Sequence, residues 1–287
     1  MPNRERPPPI ITTMTMPMTD IATPTPFVLS LSKRSSSLRS KEQGFDKLSP
    51  NGAESSTTTS ALYDLLSWMS PAWPIGAFAH SGGLEWAVEE GYATDRATTQ
   101  QWIADLVERG GIRNDLVTFV HAWRAAAANA PETLAEVAQL SAAMQTGHER
   151  RVEATAQGAA FRRIALMSAE PTAFAALLAN IEDDDLTYPV AAAVLFACHG
   201  IALPPSLTAY LHGVVANLVS AAQRLIPLGQ TDGQRVLREL RATVFEAAAR
   251  AAALPDADPF TQMGGAALLA ELGCMAHETQ YTRLFRT

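Results

Sequence analysis

Apolar side chains recur at helical spacing along most of the chain from residue 61 onward. Leu62, Leu65 and Met69 lie three or four positions apart, as on one face of a helix. Prolines and glycines separate successive segments of this kind, and no stretch alternates apolar and polar side chains as a strand would. The pattern predicts an all-α fold, a single compact domain of about ten helices over residues 61–287. The predicted helices that matter below are 78–90, 147–167, 233–252 and 259–275.

The first 60 residues differ sharply from the rest. They hold 10 Ser, 9 Thr and 8 Pro, with few large apolar side chains and no sustained period. Such a composition predicts a disordered leader over residues 1–60. An alternative hypothesis is that part of this stretch lies ahead of the true translation start, since Met14, Met16 and Met18 also precede the helical region.

Charge narrows the possible functions. The chain carries 22 Lys+Arg against 29 Asp+Glu, a net charge of −7, and has no lysine after Lys47. An acidic chain without a basic patch is not typical of a nucleic-acid-binding protein. A helical domain without lysine has no Walker A loop, whose lysine contacts the nucleotide phosphates. With no export signal, no membrane segment and only Cys198 and Cys274, the sequence predicts a cytoplasmic protein with free thiols.

An unusual motif runs from residue 70 to residue 85. Two prolines predict a rigid turn, and paired glycines inside the predicted helix 78–90 remove side chains where another backbone could come close. Gly91 is a candidate C-cap for that helix. We interpret this motif as a well-packed corner between helices. The residues that define it are Ser70, Pro71, Pro74, Gly76, Phe78, Gly83 and Glu85.

A second motif joins two long helices near residue 227. Thr231 and Gln234 have the spacing of a capping box, and Asp232 would favour the same helix N-terminus. In the apolar helix before this motif, Asn217, Ser220 and Arg224 share one face, and this polar stripe favours a partner contact over a merely solvated surface. The residues of this motif are Arg224, Pro227, Gly229, Gln230, Thr231, Asp232 and Gln234.

The chain ends in a stretch rich in aromatic residues and arginine, the types that anchor interfaces. Two alternatives are a tail that packs on its own core and a peptide that orders on a partner. We favour the second. The residues concerned are His277, Glu278, Gln280, Tyr281, Arg283, Leu284, Phe285 and Arg286.

Metal and acid–base chemistry has few candidates. Cys274 and His277 are three positions apart and could share one face of a helix. Two ligands, however, do not complete a closed metal site. Glu149, Arg151 and Glu153 on one predicted helix are expected to form exposed ion pairs. An all-α enzyme would draw on Glu149, Glu153 and His148 as its acid–base set.

Four stretches together resemble the urease accessory protein UreF family. They are Ser70-Pro-Ala-Trp-Pro-Ile-Gly-Ala-Phe, Gly83-Leu-Glu, Arg224-Leu-Ile-Pro-Leu-Gly-Gln-Thr-Asp-Gly-Gln and His277-Glu-Thr-Gln-Tyr-Thr-Arg-Leu-Phe-Arg. The resemblance covers residues 61–287 and leaves the leader without a counterpart.

The resemblance implies an all-α homodimer without activity of its own. It implies binding to the accessory proteins UreD/UreH and to the GTPase UreG, in an assembly that delivers nickel to apo-urease while holding no stable cofactor itself. The tail from His277 to Arg286 is implied to bind UreD/UreH. The motif from Arg224 to Gln234 is implied to lie at the dimer and GTPase-facing surface, where it could regulate the GTPase. Competing hypotheses are a direct nickel carrier using Cys274, His277 and His80, and the all-α enzyme.

Overall fold

The computed structural model describes residues 58–169 and 172–287, and these residues fold into helices without a strand. The predicted all-α class is therefore confirmed. A 3-10 turn, η1, spans Ala77–Ala79. The α-helices of the described residues are α1 Thr59–Trp68, α2 Leu84–Glu89, α3 Arg96–Arg109, α4 Gly111–Ala127, α5 Pro131–Ala143, α6 His148–Ser168, α7 Thr172–Leu177, α8 Tyr188–Cys198, α9 Leu203–Leu225, α10 Gln230–Glu239, α11 Arg241–Ala252, α12 Pro259–Gln262 and α13 Leu268–His277.

The predicted leader falls almost entirely outside the described residues. Its last three positions are described, and they belong to the start of α1. The hydroxyl of Thr58 accepts a hydrogen bond from the Ala61 backbone N–H, so Thr58 is the N-cap of that helix.

Helix α8 forms the centre of the core. Its first nine residues, 188–196, are all buried, and it packs most extensively on α4 and α6. The ring of Phe196 stacks on Trp68 at 5.6 Å and meets the edge of Phe119 at 6.1 Å. Burying a large apolar side chain contributes about 1.5–3 kcal/mol, so this helix is a main source of stability. None of the helices in the described ranges has both the length and the hydropathy that crossing a bilayer requires.

Three predicted helices differ in the structure, one by a later start and two by division. The segment 78–90 is helical as α2 only from Leu84, because Gly82 and Gly83 have φ values of +59° and +81° that a helix does not contain. Gly91 follows α2 with φ +79°, as its predicted capping role requires. The segment 233–252 breaks at Leu240 into α10 and α11, and 259–275 divides into α12 and α13.

The predicted capping box at Thr231 is wrong. Helix α10 begins two residues earlier than that capping box requires, at Gln230, with Gly229 as its N-cap and no side-chain cap. Thr231 and Gln234 therefore lie inside the helix, where both are exposed.

A linker of residues 253–267 leads from α11 to α13 and is held on the surface of α4 by arginines. Arg113 donates hydrogen bonds to the Gln262 and Gly264 carbonyls, and Arg124 donates to those of Leu254 and Pro255. The distances lie between 2.6 and 3.1 Å. These bonds set the point from which α13 starts.

Gly158 allows α6 to lie against the backbone that precedes α8. A Cβ built at this position would overlap the Leu186 carbonyl oxygen and lie 2.7 Å from the carbonyl carbon of Thr187. We expect Gly158→Ala to lower the free energy of unfolding by about 1–3 kcal/mol, because backbone atoms cannot move aside as a flexible side chain can. Urea denaturation followed by circular dichroism measures the effect.

The matched control is Gly111→Ala at the start of α4, where the nearest atom to an added Cβ is an Arg150 nitrogen at 3.9 Å. This variant should be neutral or slightly stabilising, since alanine is the better helix former. Equal stability of Gly158→Ala and the unaltered protein would contradict the proposed contact.

Candidate functional site at the docked tail

The last residues of the chain pack against its own domain. The tail, defined here as residues 278–287, follows α13, which packs on α2 and also contacts α6. The Arg286 N–H donates to the Ala79 carbonyl over 2.8 Å, and the Ser81 N–H donates to the Thr287 carbonyl over 2.7 Å. The structure thus differs from the favoured expectation and shows the alternative, a tail that packs on its own core. Binding of the tail to a partner stays a prediction.

Glu85 on α2 is the principal anchor of the tail. This carboxylate is only 7% exposed and accepts the backbone N–H groups of Leu284 and Phe285 over 2.6 and 2.9 Å. Hydrogen bonds to an ionised acceptor are among the stronger ones in proteins. The tail backbone at Leu284 and Phe285 is therefore held by one side chain.

Gly83 explains how α13 approaches α2 so closely. A Cβ at Gly83 would lie 2.7 Å from the Cys274 Sγ, and one at Gly273 would lie 2.5 Å from the Trp86 ring. The glycine pair 82–83 is not helical as predicted, but the predicted close approach of another backbone is present. With small residues on both sides, the Glu85 carboxylate comes within reach of α13.

His277 at the end of α13 lies between α2 and α6 and is completely buried. Its Nδ1 is 2.6 Å from Glu149 Oε2, and its Nε2 is 3.0 Å from Glu85 Oε2. Both ring nitrogens thus face carboxylate oxygens, and neither offers a free lone pair to a metal. This side chain joins the three helices at one point.

Cys274 is a poor metal ligand in this arrangement. Burial raises the pKa of its thiol to about 12, and the thiolate is the form that binds metals. Over residues 58–169 and 172–287, no three His, Cys, Asp or Glu side chains are grouped so that they could hold a metal ion.

The expected exposed ion pairs on α6 are wrong for two of the three residues. Glu149 and Glu153 are 7% and 8% exposed, and both face the tail. The Glu149 Oε1 accepts a hydrogen bond from the Arg283 guanidinium over 2.7 Å, and this bond holds the tail on α6. Arg151 is the exposed member, and it lies 3.6 Å from Asp185.

Beneath the tail, Arg150 balances two buried acids. It donates to Glu153 over 2.8 Å and lies 3.6 Å from Asp115. Burial alone would lower the pKa of Arg150, but Glu153 and Asp115 raise it above its ordinary value. Burial lowers the pKa of His80, which favours its neutral form, and its Nδ1 lies 2.8 Å from the Thr287 hydroxyl.

Glu278 extends the docking to the start of α6. Its Oε1 accepts from the backbone N–H groups of His148 and Glu149 over 2.8 and 3.3 Å. These are unpaired donors at a helix N-terminus, where a negative charge is favourable. Gln280 makes a local bond to the Thr282 carbonyl over 3.1 Å.

The second sequence motif lies next to the tail. The Arg224 guanidinium is 4.2 Å from the centroid of the Phe285 ring, and Phe285 is only 4% exposed. Asp232 pairs with Arg235 over 3.0 Å. The structure thus brings the second motif and the tail together. The motif residues with exposed side chains are Arg224, Pro227, Gln230, Thr231 and Gln234, and Gly229 is also exposed.

The proline-rich motif forms one wall of a cavity of about 660 Å³. Ser70, Pro71, Pro74, Gly76 and Phe78 line it together with parts of α6, α9 and α13. Gly76 has φ +79° and precedes η1 as its N-cap. Phe78 is 70% exposed, so this turn is more open than the well-packed corner that the sequence suggested.

Large apolar side chains stay exposed on α13 and on the tail, and together they are called the strip here. Large exposed apolar side chains of this kind are candidates for an interaction site. The strip consists of Leu268, Leu269, Leu272, Met275, Tyr281 and Leu284.

Sequence reasoning missed the role of Glu149 and Glu153 in holding the tail. Two acids four positions apart on a helix repel each other when exposed, so the pair was a signal that donors cover this face. The donors, Arg283 and Thr287, lie 134 residues away from their acceptors in the sequence. Nothing local in the sequence indicates a partner at that distance.

We expect Glu85→Ala to release the tail and to lower the free energy of unfolding by about 3 kcal/mol or more, because it leaves buried donors without an acceptor. Trypsin cleavage after Arg283 and thermal unfolding report the two effects. Glu89→Ala, at the exposed end of the same helix, should change stability by less than about 0.5 kcal/mol. Unchanged cleavage in Glu85→Ala would contradict the anchoring role.

Comparison with known proteins identifies the family. The UreF family model matches residues 93–241. A urease accessory protein UreF from Bradyrhizobium diazoefficiens is 45% identical over 229 residues, which are 79% of this chain and 92% of the relative. A urease accessory protein UreF from Rhodopseudomonas palustris strain BisB5 is 44% identical over 235 residues, 81% of this chain and 94% of the relative. This chain therefore belongs to the UreF family of urease accessory proteins.

Proposed function

We propose that this chain is a non-enzymatic scaffold that binds UreD/UreH and UreG and supports GTP-dependent nickel insertion into apo-urease. Membership of the UreF family supports a role in urease maturation. The proposal adds the specific partners, a homodimer, regulation of the GTPase and a location in the cytoplasm. Nickel is cargo of the assembly in this scheme and not a resident cofactor of the chain.

The exposed strip on α13 and the tail is the observation that carries the proposal. Tyr281 is fully exposed and Leu284 is 65% exposed, although the tail backbone is bonded at Leu284, Phe285 and Arg286. A rigid backbone that presents apolar side chains loses little conformational entropy when a partner covers them. We assign this strip to UreD/UreH.

The second motif is the surface that we assign to UreG and to the second copy of the chain. Contact between Arg224 and Phe285 joins it to the tail, so occupation of one surface can affect the other. The domain carries no lysine after residue 47, and UreG would supply the nucleotide site.

A scaffold role is also favoured by the hydrogen bonds that occupy the carboxylates of Glu149 and Glu153. Glu149 accepts from Arg283, and Glu153 accepts from Arg150 and the Thr287 hydroxyl. His148, the third residue of the hypothetical acid–base set, is exposed. Carboxylates occupied in this way have no free oxygen with which to accept a substrate proton. The relatives are likewise named as accessory proteins.

Truncating the two exposed apolar side chains of the tail tests the surface that we assign to UreD/UreH. We expect Tyr281→Ala combined with Leu284→Ala to weaken capture of UreD/UreH about tenfold or more, because buried interface anchors each cost more than about 1 kcal/mol when truncated. Co-purification of the full chain with UreD/UreH and UreG is the measurement.

Phe260→Ala is the matched control, since Phe260 is 62% exposed but lies on α12, outside the strip. Its capture of UreD/UreH should equal that of the unaltered chain. Undiminished capture by the double variant, with an intact helical spectrum, would refute the assignment of the strip.

A bulky charge in the second motif tests the surface for UreG. Thr231→Arg places a long cation on the exposed side of α10, and we expect at least a tenfold loss of UreG from the co-purified complex while UreD/UreH is retained. Ala242→Arg on the exposed side of α11 is the control and should retain both partners. Normal recovery of UreG with Thr231→Arg would rule out this surface.

A further inference from the structure

Aromatic side chains and one buried ion pair line the cavity beside the proline-rich motif. The cavity measures about 660 Å³, and Trp73, Tyr188 and Tyr210 line it together with Asp115 and Arg150. Small-molecule sites have this size and combine apolar surface with a few polar groups that orient the ligand. No residue of the tail or of the strip lines the cavity, so it is separate from the surface that we assign to UreD/UreH.

Asp115 on α4 has one carboxylate oxygen without a hydrogen bond. Its Oδ1 accepts from the Gln145 amide over 3.2 Å. Within the described part of the chain, its Oδ2 accepts no hydrogen bond, and the Arg150 Nη2 stands 3.6 Å from it. Burial raises the pKa of this carboxyl, and Arg150 opposes the rise only in part. The residue is 6% exposed, so the missing hydrogen bond is costly.

Arg150 on α6 has hydrogen-bond donors to spare. A guanidinium carries five N–H groups, and Nη1 donates to Glu153 over 2.8 Å. Its Nη2 makes no hydrogen bond with any residue in the ranges 58–169 and 172–287. The side chain is 19% exposed and lines the cavity, so a ligand can reach it. A free donor and a free acceptor therefore stand side by side.

A primary carboxamide is the group that matches this pair. Its oxygen and nitrogen lie about 2.2 Å apart, so hydrogen bonds of about 2.9 Å connect them to two atoms 3.6 Å apart. A carboxylate has no donor for Asp115 and adds a third anion beside Asp115 and Glu153. An ammonium or amidinium has no acceptor for Arg150 and meets its positive charge. A hydroxyl offers one oxygen for both bonds, which forces them to a sharp angle.

We propose that this cavity binds a small molecule that carries a primary carboxamide on an apolar body. The carboxamide oxygen accepts from the Arg150 guanidinium, and its N–H group donates to the Asp115 Oδ2. The apolar body packs against the aromatic side chains of the lining. This binding function goes beyond the proposed scaffold function and does not rest on it.

Three probes of nearly the same shape test the class of ligand on the full chain. Benzamide donates and accepts, benzoate only accepts, and benzamidinium only donates. Isothermal titration calorimetry at pH 8, which favours the ionised form of Asp115, is the measurement. We expect one site for benzamide and binding of the other two that is weaker by about tenfold or more, because each leaves a buried polar group unpaired.

Two results with the unaltered chain would overturn the proposal. One is the lack of saturable benzamide binding at millimolar concentrations. The other is binding of benzoate or benzamidinium that is as tight as that of benzamide or tighter.

Asp115→Asn locates the site by exchanging an acceptor for a donor. The Gln145 Nε2 donates to the Ser141 carbonyl over 3.2 Å as well as to Asp115, which fixes the orientation of the Gln145 amide. The side-chain oxygen of the variant therefore stays toward Gln145, and its amino group takes the place of Oδ2. We expect the affinity for benzamide to fall about tenfold or more and benzoate to become the tighter ligand.

Glu271→Gln is the matched control, since Glu271 also lines the cavity and undergoes the same chemical exchange. It should keep the affinity for benzamide and the order of the three probes. An Asp115→Asn variant that still prefers benzamide, with an intact helical spectrum, would overturn the proposal, and so would an equal loss in the control. If Asp115→Asn does not fold, the order of the three probes on the unaltered chain still decides.

Discussion

The need to neutralise three buried carboxylates governs the arrangement of the C-terminal part of this protein. Glu85, Glu149 and Glu153 are each less than 10% exposed, and an isolated buried carboxylate costs several kcal/mol. Most of the donors that satisfy them come from α13 and the tail. Without the tail, Glu85 and Glu149 would keep only their contacts with His277, and Glu153 only those with Arg150 and Gln157. The tail is thus part of the fold and not an appendage to it.

This dependence gives the tail two roles at once. Its backbone and its inward side chains satisfy the acids, while Tyr281 and Leu284 face outward. Through Phe285 and Arg224 it also contacts the end of α9, where the second motif begins. A partner that covered the outer side chains would therefore act on a segment whose inner contacts hold three helices together. Surfaces that are far apart in the sequence become neighbours through a few residues of the tail.

The sequence was sufficient for the fold class and the family, and less so for the site. Helical spacing and the placement of proline and glycine are local signals, and they located most helices. The break at Leu240 has no such signal, since neither glycine nor proline stands there. The burial of Glu149 and Glu153 depends on partners more than 120 residues away, which a local pattern cannot reveal. The tail motif marked residues 277–286 for a contact, but a local pattern cannot show that they pack on their own domain.

Four of the hydrogen bonds that hold the linker on α4 are accepted by backbone carbonyls of the linker. Arg113 and Arg124 contact the main chain of four linker positions, and these bonds would form with nearly any side chain there. Most linker side chains can therefore change without loss of these four bonds, whereas the two arginines cannot; Gln262 is an exception, because its side chain contacts His121 on α4. Homologues should keep a cation at those two points of α4 even where most of the linker differs.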